Sequence, residues 1–264
     1  RFSGVTGVQT CALPICKMKK VMLVFGTRPE AIKMCPLVKE LKQHTTIETV
    51  VCVTGQHKEM LEQVLDVFKI IPDYDLGVMK TNQTLFTITT SILDKIQSVL
   101  DEEKPDIVLV HGDTTTTFVT ALAAFYKGIK VGHVEAGLRT YNLHSPFPEE
   151  FNRQATSIVS DYNFAPTEVS KENLVREGRE NIFVTGNTVI DALKTTVQND
   201  YSHPILDWAK GSKLIMLTAH RRENLGEPME HMFRAVNRIL DEFEDVKVVY
   251  PIHKNPKVRD RKST

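Results

Sequence analysis

What most limits the fold of this chain is an alternation. From residue 19 onward, short β-branched or apolar runs alternate with segments whose apolar residues recur at helical spacing. Runs at 21–25, 49–54, 107–110, 130–134, 162–165 and 182–184 read as strands. Segments 29–41, 59–68, 83–103, 114–126, 149–160 and 167–177 read as helices. Strands joined through helices require crossovers, and a sheet built that way is parallel with helices on both faces. The expected class is α/β. Ligands of such sheets sit beyond the carboxyl ends of the strands, so the residues just after each run are the ones to read for chemistry.

The alternation breaks once. After Gly186 a helix at 189–197 leads into a polar stretch, 198–213, holding Asn199, Asp200, Pro204 and Gly211. It reads as an interdomain connection. A second series then begins, with a strand at 214–218, a helix at 229–243 and a strand at 246–250. The expected division is a tail at 1–17, a first α/β domain at 18–186 and a partial second one at 187–264. Residues 1–16 carry Gly4, Gly7 and Pro14 without any period. They resemble adapter or vector sequence ahead of Met18 and do not fit a signal peptide. Residues 260–264 interrupt a helix begun at Pro256, so the second domain is expected to be cut short.

Composition removes several classes of function. The chain has 264 residues, and its 33 lysines and arginines balance 33 aspartates and glutamates. A protein whose main partner is nucleic acid or an anionic membrane usually carries a basic excess. No apolar run approaches the ~18 residues a membrane span needs. The four cysteines have neither zinc spacing nor a disulfide framework. Cys35 and Cys52 fall on a helix face and in a strand interior, where packing is their expected role. A reduced cytoplasmic enzyme is the reading that remains. There is no Gly-x-Gly pair, Walker lysine motif, Gly-x-Ser-x-Gly elbow or His-Glu-x-x-His helix, so no cofactor and no metal are expected.

Four strand exits concentrate reactive groups. Gly26-Thr27-Arg28-Pro29-Glu30 places glycine at a strand end and proline at a helix start. Backbone N–H groups and the Arg28 fork there suit a phosphate, or else form a tight turn with a surface arginine. In His111-Gly112-Asp113-Thr114-Thr115-Thr116-Thr117, Asp113 is either a helix cap or a carboxylate at the sheet edge. The threonines are poor inside a helix but useful at its start. Glu135, directly after the strand in His133-Val134-Glu135-Ala136-Gly137-Leu138-Arg139-Thr140, is either functional or paired with Arg139. Glu149 and Glu150 follow Pro148 as acids of a first helical turn, which is also a conventional helix start. The second series offers His220-Arg221-Arg222-Glu223-Asn224 and Pro251-Ile252-His253-Lys254, both suited to an anion.

Together these segments resemble the non-hydrolysing UDP-N-acetylglucosamine 2-epimerases. The run Phe25-Gly26-Thr27-Arg28-Pro29-Glu30-Ala31-Ile32-Lys33-Met34 looks like that family's opening signature. Gly112–Thr116, the 133–140 segment, Pro148-Glu149-Glu150-Phe151-Asn152-Arg153 and the 220–224 segment match in the same order. The resemblance covers about residues 19–258 and implies two Rossmann-like domains of the glycosyltransferase-B kind, the second incomplete here. It also implies interconversion of UDP-N-acetylglucosamine and UDP-N-acetylmannosamine for bacterial cell-envelope polysaccharides, by elimination and re-addition of UDP, in a homodimer.

By the same resemblance the catalytic set is Asp113, Glu135, Glu149 and His220. Arg28, Lys33, Arg153, Arg221 and His253 fall on substrate-binding positions. Gln56 matches an allosteric UDP-N-acetylglucosamine site, whereas Glu59 and Asn82 depart from it. The Gly- and Glu-rich loops that hold the nucleotide in the family lie past the end of this sequence, so this fragment is expected to be inactive or impaired. Three alternatives stand beside this reading: a hydrolysing epimerase that releases N-acetylmannosamine, a glycosyltransferase, and a non-catalytic nucleotide-sugar-binding protein.

Overall fold

The computed structural model describes residues 18–55, 58–79, 83–219 and 226–252. Two compact units divide between Val197 and Gln198. The first holds a seven-stranded sheet with every strand parallel to its neighbours, in the order β3-β2-β1-β4-β5-β6-β7. Its strands are β1 (Lys19–Phe25), β2 (Ile47–Val53), β3 (Tyr74–Asp75), β4 (Ile107–His111), β5 (Lys130–Val134), β6 (Tyr162–Ala165) and β7 (Ile182–Val184). The crossovers are helices α1 (Arg28–Leu41), α2 (Lys58–Phe68), α3 (Leu85–Glu103), α4 (Thr115–Tyr126), α5 (Glu149–Val159) and α6 (Glu168–Arg176). A further helix, α7 (Val189–Thr196), packs on α1, so the first unit extends past residue 186.

Burial explains the uniform apolar runs. In β1, Met22 and Val24 face α3 and α4, joining Ile92, Ile96, Val119 and Ala124 in one core cluster. Leu23 and Phe25 face the other way, against Met34, Val38, Leu61 and Phe68 of α1 and α2. A strand covered on both faces has no polar side, which is why these runs show no alternation. Cys35 and Cys52 are buried free thiols in these two clusters, and burial pushes both up to about 12.

Strand order also fixes where chemistry can occur. From β1 the chain winds outward to β2 and β3, then returns through α3 to β4 on the other side of β1. The carboxyl ends of β1 and β4 therefore diverge into a crevice, the position at which open α/β sheets bind ligands. Gly26–Glu30 leaves β1 there and Gly112–Thr117 leaves β4 there. Among the described residues no helix is long and apolar enough to cross a membrane.

The second unit contains helix α8 (Pro204–Ala209), strand β8 (Lys213–Met216), helix α9 (Glu227–Glu242) and strand β9 (Val246–Val249), with β8 and β9 paired in parallel. Two elements were not legible in the sequence. The edge strand β3 has only two residues, too few to show a period. Helix α8 is hidden in the polar 198–213 stretch, started by Pro204 behind His203, whose ring Nδ1 accepts the Ile205 N–H at 3.2 Å.

Candidate active site

The crevice is closed from below by hydroxyls. Thr114 caps α4 by accepting the Thr117 N–H at 3.1 Å. Thr116 Oγ1 lies 3.0 Å from Thr54 Oγ1, across the end of β1. The Thr117 hydroxyl donates to His111 O at 2.5 Å. The threonine run is thus both a helix cap and a clasp between strand exits. Gly26 sits against it: a Cβ there would come within 1.9 Å of Thr54 Oγ1 and 2.7 Å of Thr116 Oγ1, so a larger residue would have to displace the two threonines.

Glu135 follows β5 in the left-handed backbone region, with φ of 62°. Few non-glycine residues adopt that conformation, and those that do often sit at functional sites. Lys33 Nζ of α1 donates to its Oε1 at 2.5 Å, and Asn187 Nδ2 donates to the same oxygen at 2.9 Å. His111 Nε2 stands 3.5 Å from Oε2. Burial opposes ionisation of Glu135, but the His111 ring, the Lys33 ammonium and the Asn187 amide bring its carboxyl below the usual range. Because His111 is itself pushed down to about 4 by burial, Lys33 is the cation that holds Glu135 ionised at neutral pH.

Asp113 lies at the next exit. Arg153 Nη2 donates to Asp113 Oδ2, and Asn152 Nδ2 donates to its backbone carbonyl at 2.9 Å. Burial raises its carboxyl; Arg153 opposes this, and the charges of Glu149 and Glu135 add to the rise. Asp113 is therefore within electrostatic reach of two further carboxylates, each from a separate crossover unit. Glu149, half-buried, opens α5. Its neighbour Glu150 has a different role: fully buried, it accepts the Thr140 and Tyr141 N–H groups at 3.0 and 2.9 Å and closes the 140–150 loop.

Some sequence expectations change here. The Gly26 and Thr27 N–H groups do not point to an open phosphate cradle: both donate to Glu30 Oε2, at 3.0 and 2.7 Å. Arg139 is not the partner of Glu135. Its guanidinium pairs with Glu177 at 2.7 and 2.9 Å and donates to Ser157 Oγ at 2.9 Å. Lys33 and Arg153 reach the carboxylates, whereas exposed Arg28 borders a groove of about 380 Å³ with Ile32, Val64, Phe68, Ala192 and Leu193. His220, Arg221, His253 and Gln56, with residues 1–17, lie outside the described residues. Three polar groups of the site carried no assigned role in the sequence. Glu30 has a detectable signal, standing three residues after the helix-capping Thr27. His111 was visible only as part of its motif, and Asn187, just past β7, has no pattern that marks it.

His133 Nε2 donates to Gly112 O at 2.7 Å from a fully buried ring, fixing β5 to the exit of β4. Burial pushes His133, like His111, from 6.5 down to about 4. Between those values the unfolded chain binds protons that the folded chain does not. Stability from each ring is full above about pH 6.5 and lost as pH falls toward 4, by about 3 kcal/mol per ring. Urea unfolding at pH 7 and pH 5 is expected to show a lower midpoint at pH 5. The drop should shrink in His133→Gln, and an equal drop in both proteins would rule out this origin.

The chain is similar over most of its length to known proteins. A family model described as UDP-N-acetylglucosamine 2-epimerase matches residues 39–263. The UDP-N-acetylglucosamine 2-epimerase of Bacillus subtilis is 62% identical over 246 residues, covering 92% of this chain and 65% of the relative. A crystal structure of a putative UDP-N-acetylglucosamine 2-epimerase from Listeria monocytogenes is 58% identical, with a TM-score of 0.86 over 92% of this chain and 65% of its own. The Neisseria meningitidis UDP-GlcNAc 2-epimerase, solved bound to UDP-GlcNAc, is 51% identical with a TM-score of 0.82, covering 91% of this chain and 68% of that one. The chain thus spans about 65% of the length of the curated Bacillus relative.

Proposed function

This chain belongs to the UDP-N-acetylglucosamine 2-epimerase family, and from that membership we propose that the full-length protein inverts C2 of UDP-N-acetylglucosamine to give UDP-N-acetylmannosamine, and the reverse. The observation that carries the reading is the pairing of Glu135 with Lys33 and of Asp113 with Arg153 at one sheet edge, with Glu149 in electrostatic reach of Asp113. An anionic ligand would be repelled by carboxylates that only bound it, so their presence favours chemistry over mere recognition.

The environments of two of these acids suggest a division of labour. Asp113, raised by burial, is the stronger base once ionised and takes the C2 proton. Glu135, held ionised, stabilises positive charge as the C1–O bond breaks and its electron pair leaves with UDP. The product of that step is a 2-acetamidoglucal. UDP then returns to C1, and a proton reaches C2 on the opposite face. Glu149, beside Asp113, is the acid of that return step. His220 and Arg221 are assigned to the departing diphosphate by resemblance alone.

The test is incubation of the full-length protein, of which this chain is expected to be a part, with UDP-N-acetylglucosamine in deuterium oxide. Expected are UDP-N-acetylmannosamine and deuterium at C2 of the recovered nucleotide sugars. Free N-acetylmannosamine with UDP would indicate the hydrolysing reaction, and binding without exchange would overturn the catalytic reading.

A further inference from the structure

Glu30 is a buried carboxylate to which the mechanism above assigns no step, yet it joins two strand exits that the mechanism needs in register. Its Oε2 accepts the Gly26 and Thr27 N–H groups at 3.0 and 2.7 Å, where the chain leaves β1. Its Oε1 accepts the Thr114 hydroxyl at 2.7 Å, and the Thr117 hydroxyl lies 3.2 Å from the same oxygen. These threonines begin α4, directly after Asp113. Three residues past Glu30 on α1 is Lys33, bonded to Glu135. One side chain therefore ties the helix that holds Glu135 ionised to the loop that carries Asp113.

The contact set is unusual for a cap. A capping-box glutamate reaches back to its own helix start, and here one oxygen does so. The second oxygen is directed instead to a different helix, more than eighty residues away in sequence. With relative exposure of 2%, this carboxylate has no solvent to replace those donors, and losing them would leave two backbone N–H groups buried without an acceptor.

We propose that Glu30 is a positioning residue for the epimerase reaction, setting the distance between Asp113 and the Lys33–Glu135 pair by clasping the exits of β1 and β4. The inference rests on the function proposed above. What it requires is shape and hydrogen bonding rather than charge. In Glu30→Gln the amide oxygen still accepts Gly26 and Thr27, while the amide donates to Thr114 Oγ1. The Thr114 hydroxyl then turns to Thr117 Oγ1, already 3.1 Å away. In Glu30→Asp the side chain is one methylene shorter and cannot span both exits.

Steady-state kinetics with UDP-N-acetylglucosamine and a ¹³C NMR titration of the Asp113 carboxyl, both on the full-length protein, test this in the same variants. Glu30→Gln is expected to stay within about threefold of the parent in kcat. Glu30→Asp and Glu30→Ala are expected to lose roughly 10- to 100-fold in kcat with little change in KM, since a misplacement near 1 Å has that scale of effect. The Asp113 titration should move in Glu30→Asp and stay in place in Glu30→Gln. Unchanged kcat and an unchanged Asp113 titration in Glu30→Asp would overturn the proposal, as would a Gln variant as impaired as Asp. If the full-length parent shows no turnover, the epimerase reading fails, and the Asp113 titration alone still decides whether Glu30 sets that loop.

Discussion

Asp113→Asn is expected to lower kcat for epimerisation by roughly 10³-fold, within the range that general acid–base groups contribute. The substitution keeps the shape of the side chain and leaves an oxygen to accept from Arg153, so the fold and the Arg153 contact should persist. What it removes is a base whose carboxyl burial has raised toward the working pH. Deuterium incorporation at C2 should fall in parallel with turnover, because both begin with the same proton transfer. Glu135→Gln should also be slow, for a different reason: it removes the negative charge facing C1 and leaves Lys33 without its ionic partner. The pH profiles separate the two roles. In Glu135→Gln the acid limb of kcat/KM, set by ionisation of Asp113, should remain. In Asp113→Asn it should vanish. An Asp113→Asn protein that still exchanges C2 hydrogen at the parent rate would remove Asp113 from the proton-transfer step and leave Glu149 as the candidate.

The fold was legible because both faces of the sheet are covered. A strand such as β1, with Met22 and Val24 on one side and Leu23 and Phe25 on the other, cannot be mistaken for a half-exposed strand. The helices that cover it have to show one apolar stripe each. From that point topology dictated the region of the site, since crossover strands all end on the same edge. Pairings on that edge were not legible. Arg139 stands four residues from Glu135 and was one of two readings of that acid, as its ionic partner, yet the chain turns at Glu135 with positive φ and the guanidinium goes to Glu177. Lys33 became the partner because α1, packed on β1 and β2, starts at the same sheet edge at which β5 ends, so that its side chain reaches Glu135, which no local spacing encodes. Likewise the Gly26 and Thr27 amides looked open to phosphate until Glu30, a residue with an ordinary capping reading, was seen to occupy them.

Gly137→Ala is expected to be among the most damaging single-methyl additions in this chain, for reasons that link stability to the site. Gly137 lies two residues beyond Glu135 with φ of 89°, and a Cβ built on it would sit 2.2 Å from Ser170 O and 2.8 Å from Ser170 C. Those are backbone atoms in the first turn of α6, so no side-chain rotation relieves the overlap. The backbone conformation alone costs about 1–2 kcal/mol for a residue with a Cβ, and overpacking a tight contact adds roughly 1–3 kcal/mol. A loss of about 2–5 kcal/mol would lower the thermal midpoint by roughly 5–15 °C for a chain of this size. Gly178→Ala separates the two contributions, because Gly178 also has positive φ, 70°, but nothing within 4 Å of a new Cβ. Its loss should be limited to the conformational part, measured by urea unfolding beside Gly137→Ala. Equal losses would show that α6 yields to the methyl group. If α6 holds, the strain must instead move the 135–139 loop, which Asn173 Nδ2 anchors through Gly137 O at 3.0 Å. Displacing that loop carries Glu135 away from Lys33, so Gly137→Ala should lose turnover even below its unfolding temperature, whereas Gly178→Ala should not.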